Sequence, residues 1–186
     1  MRILVLSDSH GRVGPMEEAV EAVRPQRIFH LGDGWEDARE LRRRYPAIPL
    51  HQVAGNCDFR PDAPEEETLL LDGLRILLCH GHRFGVKQSL LQAGYIAEER
   101  DLDLFLFGHT HRPIHDKRGK CAFLNPGSIG FGGSFAVLDI GNGRLSARLY
   151  RLGDVIECES RAPALLFFVK LPRILRRRRG NHRYPR

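Results

Sequence analysis

The 186-residue sequence lacks the features of a membrane or secreted protein. No apolar run reaches the roughly 18–20 residues that a membrane-spanning helix needs. The opening MRILVLSDSHG meets Asp8 after a short apolar run and has no small-residue cleavage site, so we do not expect a signal peptide. Cysteine is scarce, with four residues and no CxxC pair, which is a poor disulfide framework and fits a reducing compartment. These absences predict a cytoplasmic globular protein.

Acidic residues are missing from the C-terminal end of the chain. The formal net charge is +6, but residues 161–186 contain nine Lys or Arg and no Asp or Glu. The other twenty basic residues lie in 1–160 together with all 23 acidic ones. This main part therefore has no basic excess that would indicate nucleic-acid binding. We expect a domain over residues 1–160 and a basic, partly apolar tail over 161–186.

The tail has two explanations. Its mostly apolar stretch 164–175 precedes the four arginines 176–179 and is too short to span a bilayer. It could rest on an anionic membrane surface or contact nucleic acid. Alternatively, the apolar part packs on the domain or on a neighbouring subunit of a homo-oligomer, with the arginines in solvent. Pro172 disfavours a continuous amphipathic helix, and we favour the packing explanation.

The first half of the chain alternates apolar runs with amphipathic stretches. The pattern predicts strands over 2–8, 27–33 and 50–56 and helices over 15–23 and 35–45. This β-α-β-α-β order favours a parallel sheet with helices on its faces.

The second half shows a different pattern. A hairpin is expected around Asp72-Gly73, followed by a helix over 86–100 and a strand over 103–108. Three further apolar runs, 120–128, 134–141 and 144–152, are joined by turn residues. They predict an antiparallel second sheet.

Polar side chains follow five of the predicted strands at the carboxyl end. In a parallel sheet these ends share one edge, where sites are commonly found. The residues are Asp8 and His10, Asp33, Asn56, His80 and His82, and His109 and His111. Five of the nine histidines in the chain are therefore at strand ends.

The spacing of these residues suits metal binding. Residues i and i+2 of an extended chain point the same way, so D-x-H and H-x-H can each direct two donors to one place. Carboxylate, imidazole and amide together favour first-row transition ions over Mg²⁺ or Ca²⁺. The set is too large for one tetrahedral ion and suits two ions that share a carboxylate. Its members are Asp8, His10, Asp33, Asn56, His80, His109 and His111.

Several of these residues, taken alone, have an ordinary structural explanation. Asp8 and His10 could cap the first helix, and Asp33 could be a turn residue. Cys79 and His30 lie inside apolar runs and are expected in the core. The metal hypothesis depends on the conjunction, because five strand ends in order each carry a suitable ligand.

The ordered motifs SDSHG, LGDG, GNCD, CHGH and GHTH, followed by NPGS at 125–128, resemble those of the calcineurin-like metallophosphoesterase superfamily. Its small single-domain prokaryotic phosphodiesterases are the most similar branch, and the resemblance spans about residues 1–150. It implies a four-layer αββα sandwich, in which two mixed β-sheets pack face to face with helices outside. It also implies two divalent ions, Mn²⁺ first and Ni²⁺, Fe²⁺ or Zn²⁺ as alternatives. One ion would be bound by Asp8, His10 and His111 and the other by Asn56, His80 and His109, with Asp33 bridging them.

One motif departs from the superfamily pattern. Most members have GNHD, whose His is the expected proton donor to the leaving group, where this chain has Cys57. The similar small members often have the same Cys. A thiol with a pKa of about 8.5 donates a proton less readily than His, so His82 is the alternative donor, unless it orients a ligand from behind. Asp58 is the third residue considered for catalysis, and we expect it to anchor the loop.

The resemblance implies a dinuclear-metal-dependent phosphodiesterase in which metal-activated hydroxide attacks phosphorus. Because such an enzyme would lack a strong general acid, we expect it to prefer phosphodiesters with acidic leaving groups to alkyl monoesters. Alternatives are a phosphomonoesterase or nuclease on the same site, or an interaction scaffold like the membrane-coat subunit in the superfamily that keeps the fold with a degraded metal site. All seven ligand positions are filled here, which favours an enzyme.

Small members of the superfamily often form dimers or tetramers, so the resemblance also implies a possible homo-oligomer. Asn125 and Ser128 either line the site or, as we favour, belong to a turn that closes the second sheet.

Overall fold

Ten strands and four α-helices form from residues 1–141 and 144–154, the part of the chain that the structure, a computed structural model, describes. The strands are β1 Arg2–Leu6, β2 Arg27–His30, β3 Leu50–Gln52, β4 Glu66–Leu71, β5 Leu74–Cys79, β6 Leu104–Leu106, β7 Pro113–Arg118, β8 Cys121–Pro126, β9 Ser134–Gly141 and β10 Arg144–Arg151. The helices are α1 Val13–Val23, α2 Trp35–Arg44, α3 Leu91–Glu99 and α4 Ile129–Gly132, with a 3₁₀ turn at His82–Phe84. The predictions for the 161–186 tail lie outside the described residues. Within the described part, no helix has the length and apolar character needed to cross a membrane.

The strands pair into two mixed sheets of five. Their orders are β10-β9-β1-β2-β3 and β4-β5-β6-β8-β7. The centres are parallel, β1-β2-β3 in one sheet and β5-β6-β8 in the other, and the flanking pairs are antiparallel. Two sets of parallel carboxyl ends therefore exist, one for each sheet.

Side-chain alternation along β1 shows how the layers form. Ile3 and Val5 point into a core between the sheets that also contains Leu106 of β6. Leu4 and Leu6 point the other way and pack with residues of α1, α2 and α4. On the far side, α3 packs against the outer face of the second sheet. The predicted four-layer αββα sandwich is confirmed.

Two expectations drawn from the strand pattern alone are wrong. Helices cover only one face of the first sheet, because the other face packs on the second sheet. The C-terminal runs do not form a separate antiparallel sheet: β8 pairs parallel with β6, whereas β9 and β10 extend the first sheet beside β1. Residues 3–6 of β1 are fully buried, because β1 lies inside the sheet between β9 and β2.

Two elements differ from their predicted extents. α3 begins at Leu91 rather than at residue 86, because residues 85–88 form turns after the 3₁₀ turn, with Gly85 at a left-handed φ of 60°. β7 is not predicted, since PIHDKR has no apolar run and lies half-exposed at the edge of its sheet.

Candidate metal centre

The loops after the parallel strands of both sheets meet at one edge. Ligand atoms of Asp8, His10 and His111 lie within 4.8 Å of one another. A second group with the same spacing consists of Asp33, His80 and His109. The structure thus brings residues from four separate loops into two adjacent clusters.

Asp33 lies between the two clusters. It shares a third group of ligand atoms, within 4.8 Å of one another, with His10 and Cys57. Its Oδ2 is 3.3 Å from His80 Nε2. The Oδ1 of Asn56 is 3.1 Å from the same His80 nitrogen. All seven predicted ligands therefore lie at the centre, and Asp33 is the carboxylate that lies close to both clusters.

The backbone of five of these residues is left-handed, a conformation that non-glycine residues seldom adopt and that clusters at functional sites. Their φ values are 57° for Asp8, 47° for His10, 56° for Asp33, 68° for His109 and 57° for His111. The capping explanation for Asp8 and His10 is wrong, because Arg12 is the N-cap of α1 and no side-chain cap hydrogen bond is made there.

In the first cluster, a carboxylate oxygen and two imidazole nitrogens converge. Asp8 is fully buried, and its Oδ2 accepts hydrogen bonds from Ser7 Oγ at 2.5 Å and His109 N at 3.1 Å. Its Oδ1 makes no hydrogen bond although His111 Nε2 is 3.1 Å away. The Nε2 atoms of His10 and His111 are themselves 3.3 Å apart. A buried carboxylate oxygen without a donor, facing two imidazole nitrogens, fits a divalent cation.

The second cluster has an imidazole held ready for coordination. His80 Nδ1 is 2.8 Å from the carbonyl oxygen of Leu31, which can only accept, so Nδ1 carries the hydrogen. The other nitrogen, Nε2, faces Asn56 Oδ1 and Asp33 Oδ2. A backbone carbonyl that fixes the tautomer of a ligand histidine is a usual companion of protein metal sites.

The electrostatics of the centre follow from burial and from the Asp33–His80 pair. Burial acts to lower the pKa of His80, but Asp33 outweighs it and the pKa is raised. Burial acts to raise the pKa of Asp33, but His80 and the backbone N–H of Cys57 hold it well below its usual range. Burial raises the pKa of Asp8. Burial, with the charge of His80, lowers the pKa of His109 to about 4, so His109 is neutral at pH 7, the form that binds metals.

Asp58 holds two loops of the centre together. Its carboxylate accepts hydrogen bonds from the backbone N–H groups of Asp33, Gly34, Trp35 and Gly55, at 2.8–3.0 Å. All four contacts are to the backbone, as expected for an anchor of the motif loop.

The two candidate proton donors lie at different places. Cys57 is exposed as a residue, but partial desolvation of its thiol and a hydrogen bond to Asp33 raise its pKa to about 11. The His82 ring lies 5.5 Å from that of His80 and 6.1 Å from that of His109. Burial lowers the pKa of His82, and its buried Nδ1 has no hydrogen-bond partner.

Several residues that support the loops of the centre could not be predicted from the sequence, because no motif marks them. Asp37, in the first turn of α2, accepts hydrogen bonds from Ser9 Oγ at 2.6 Å and Gly11 N at 2.8 Å. Ser9 Oγ is also 3.2 Å from Nε2 of His30, which is in the core as predicted. An acidic residue in a helical first turn looks ordinary in sequence, so nothing there indicates that it ties down the Asp8–His10 loop.

The NPGS residues support the loops of the centre. Asn125 Nδ2 donates to the carbonyl oxygen of Gly108 at 2.6 Å. Ser128 Oγ donates to the carbonyl oxygen of Asp8 at 2.8 Å, and Ser128 also caps α4. Both residues are buried. Asn125, near the end of β8, fixes the His109 loop, and Ser128, in the turn that follows β8, fixes the Asp8 loop.

Comparison with known proteins agrees with the fold. A family model described as the calcineurin-like phosphoesterase superfamily domain matches residues 1–143. The chain is 37% identical over 171 residues to the probable metallophosphoesterase YsnB of Bacillus subtilis (strain 168), covering 84% of this chain and 95% of that protein. It is 29% identical over 154 residues to phosphodiesterase YfcE of Escherichia coli (strain K12), covering 69% and 79%.

A solved structure is also similar. The crystal structure of wild-type Vps29 from Entamoeba histolytica complexed with Zn²⁺ matches with a TM-score of 0.69 and 25% identity, covering 86% of this chain and 97% of that one.

Proposed function

The chain belongs to the calcineurin-like phosphoesterase superfamily, and on that basis we propose that it is a phosphodiesterase that depends on two divalent transition-metal ions. The observation that carries the proposal is the convergence of Asp8 Oδ1 with His10 and His111 Nε2, without a hydrogen bond to Oδ1, beside the Asp33–His80–His109 cluster. Similarity to phosphodiesterase YfcE supports the reaction class.

The two clusters would hold the two ions. Asp33 would contact both, since it shares ligand groups with residues of each half. Bound there, the cations would lower the pKa of a water molecule and offset negative charge on phosphate oxygens. The ions would be Mn²⁺ first, with Ni²⁺, Fe²⁺ or Zn²⁺ as alternatives. One set of ligands is Asp8, His10 and His111, and the other is Asn56, His80 and His109.

The reaction is hydrolysis of one ester bond. A new bond from water oxygen to phosphorus forms, the bond from phosphorus to the leaving oxygen breaks, and a phosphomonoester and an alcohol or phenol result. Cys57 and His82 are the side chains that could give the leaving oxygen a proton. A thiol with a pKa of about 11 and an imidazole with a lowered pKa are both weak donors at pH 7. We therefore propose substrates whose leaving oxygen departs without help, namely phosphodiesters with acidic leaving groups.

The test is hydrolysis of bis(p-nitrophenyl) phosphate by metal-stripped protein, with Mn²⁺, Ni²⁺, Zn²⁺ or Mg²⁺ added back. The expected result is metal-restored cleavage, faster than that of p-nitrophenyl phosphate, and at least about 100-fold slower in His109→Ala, which removes a proposed ligand. The matched control is His115→Ala in β7, which should stay within about threefold of wild type. Cleavage of the monoester in preference to the diester would instead indicate a phosphomonoesterase, and digestion of polynucleotides a nuclease.

An interaction scaffold on the same fold is the second candidate, and the similarity to Vps29 from Entamoeba histolytica is the observation that supports it. Protein that binds metal but hydrolyses no phosphoester with any of the four ions would contradict the enzyme and favour the scaffold.

A further inference from the structure

Phe131 presents an aromatic ring to solvent at the edge of the metal centre. The residue is 63% exposed. Its ring centroid is 5.3 Å from that of His10 and 5.9 Å from that of His111, whose plane is inclined by only 17°. A single exposed apolar side chain is common on protein surfaces, so exposure alone indicates little. The position of this ring beside two proposed ligands is what requires an explanation.

The backbone of Phe131 is fixed relative to the Asp8 loop. Ser128 Oγ accepts a hydrogen bond from Phe131 N at 3.0 Å and donates to the carbonyl oxygen of Asp8 at 2.8 Å. A Cβ on Gly130 would lie 2.2 Å from the carbonyl oxygen of Ser9, so the turn packs on this loop without room for a side chain. The backbone that carries the ring is therefore fixed next to the first cluster.

Arg12 completes the arrangement. Its Nη1 donates to the carbonyl oxygen of Gly130 at 2.9 Å, and its Cζ lies 5.0 Å from the Phe131 ring centroid. A guanidinium has five N–H donors in a plane. Arg12 is exposed, so a positive charge with further donors stands beside an aromatic surface. Guanidinium groups bind phosphate oxygens well, and aromatic side chains stack on planar rings.

We propose that Phe131 and Arg12 form the subsite for the ester group that the substrate retains: Arg12 contacts the phosphate, and a planar ring on that ester stacks on Phe131. The proposal rests on the proposed function. We take His82, rather than Cys57, as the donor to the leaving oxygen. His82 lies beside His80 and His109, so the retained group lies on the side of His10 and His111. The substrate class is thus a phosphodiester with an aryl or nucleoside group.

The test uses three diesters with one leaving group: methyl, phenyl and thymidine-5′ p-nitrophenyl phosphate. Because p-nitrophenolate leaves in each case, differences in kcat/KM report the retained group. The wild type should favour phenyl or thymidine over methyl by at least about fivefold, the effect expected of one stacked ring. Preference for phenyl alone identifies an aryl substrate, and a further gain with thymidine identifies a nucleoside.

Variants of Phe131 decide whether this ring is responsible. Phe131→Leu should abolish the preference, whereas Phe131→Tyr, which keeps a ring, should retain it. Arg12→Ala should lower kcat/KM for all three diesters by a similar factor, with part of the loss recovered in Arg12→Lys. An unchanged preference in Phe131→Leu, or no preference in the wild type, would overturn the proposal.

Calorimetry separates this proposal from the proposed function. If no diester is hydrolysed, the proposed function fails, and binding of thymidine 5′-phosphate against methyl phosphate still tests the subsite. Tighter binding of the thymidine compound that is lost in Phe131→Leu would support it, and equal binding of the two compounds would refute it.

Discussion

The carboxylate of Asp58 accepts hydrogen bonds from four backbone N–H groups in the loops after β2 and β3. Asp58→Ala would leave these donors in a crowded loop, where Gly55 has no room for even a Cβ beside Asp33. We expect the free energy of unfolding to fall by about 2–4 kcal/mol, because unsatisfied donors cost more than a surface contact. Urea denaturation of metal-stripped protein measures this change.

Asp62, an exposed carboxylate in the loop that follows, supplies the control. Asp62→Ala should change the unfolding free energy by less than about 0.5 kcal/mol. If Asp58→Ala were equally mild, the anchoring role assigned to Asp58 would be wrong.

His30 should make stability depend on pH. Burial lowers its pKa to about 4 in the folded protein, whereas the unfolded chain titrates near 6.5. Between these values the unfolded state binds more protons, so the unfolding free energy falls as the pH is lowered from about 6.5 to about 4. The contribution of His30 is about 2–3 kcal/mol over that range.

His30→Gln removes the titration and keeps a polar group beside Ser9. Urea denaturation of the metal-stripped proteins at pH 7.5, 6 and 5 should show a shallower pH dependence in the variant. Parallel curves for the two proteins would show that His30 does not carry this dependence.

At the scale of elements, the strand ends, the parallel pairing of β1, β2 and β3 and the β4-β5 hairpin were predictable. The sheet partners of β8 and β9 were not. The apolar runs of β1, β2, β3, β5 and β6 and the polar residues after them can be read from the sequence, because both follow local periodicity. The placement of β9 beside β1 depends on which edge has to be covered, which is a property of the whole sheet. Asp37 could not be predicted either, because its role arises only where α2 meets the Asp8–His10 loop.

The core between the sheets fixes the strands whose ends carry the metal ligands. Leu106 ends β6, two residues before Gly108, and is fully buried between the sheets. Leu106→Ala should lower the unfolding free energy by about 2–5 kcal/mol, the usual range for a buried leucine. Leu70→Ala on β4 is the matched control, since Leu70 is 71% exposed and should change stability by less than about 0.5 kcal/mol. Similar losses in both variants would mean that β6 does not pack as described.

At the scale of the whole molecule, the excess of basic residues lies at the C-terminal end of the sequence, after the last proposed ligand. Residues 161–186 hold nine Lys or Arg and no acidic residue, and every proposed ligand lies before residue 112. We predict that residues 1–160 are sufficient for metal-dependent diester hydrolysis, with kcat/KM within about threefold of the full chain. Loss of activity on truncation, with circular dichroism showing a folded protein, would mean that the tail contributes to the site.

The same pair of proteins tests the two explanations of the tail. Sedimentation with phosphatidylserine vesicles at low and high salt should reveal a salt-dependent interaction of the full chain alone, if the tail contacts anionic surfaces. A change in sedimentation coefficient without vesicle binding would instead support packing between subunits.

We propose that the two clusters that share Asp33 bind two divalent ions. Anomalous diffraction from crystals grown with Mn²⁺ tests it most directly, because it locates each ion among its ligands. The prediction is two peaks, one contacted by Asp8, His10 and His111 and one by Asn56, His80 and His109, with Asp33 touching both. A single peak, or peaks away from these side chains, would show that the two clusters do not form a dinuclear site.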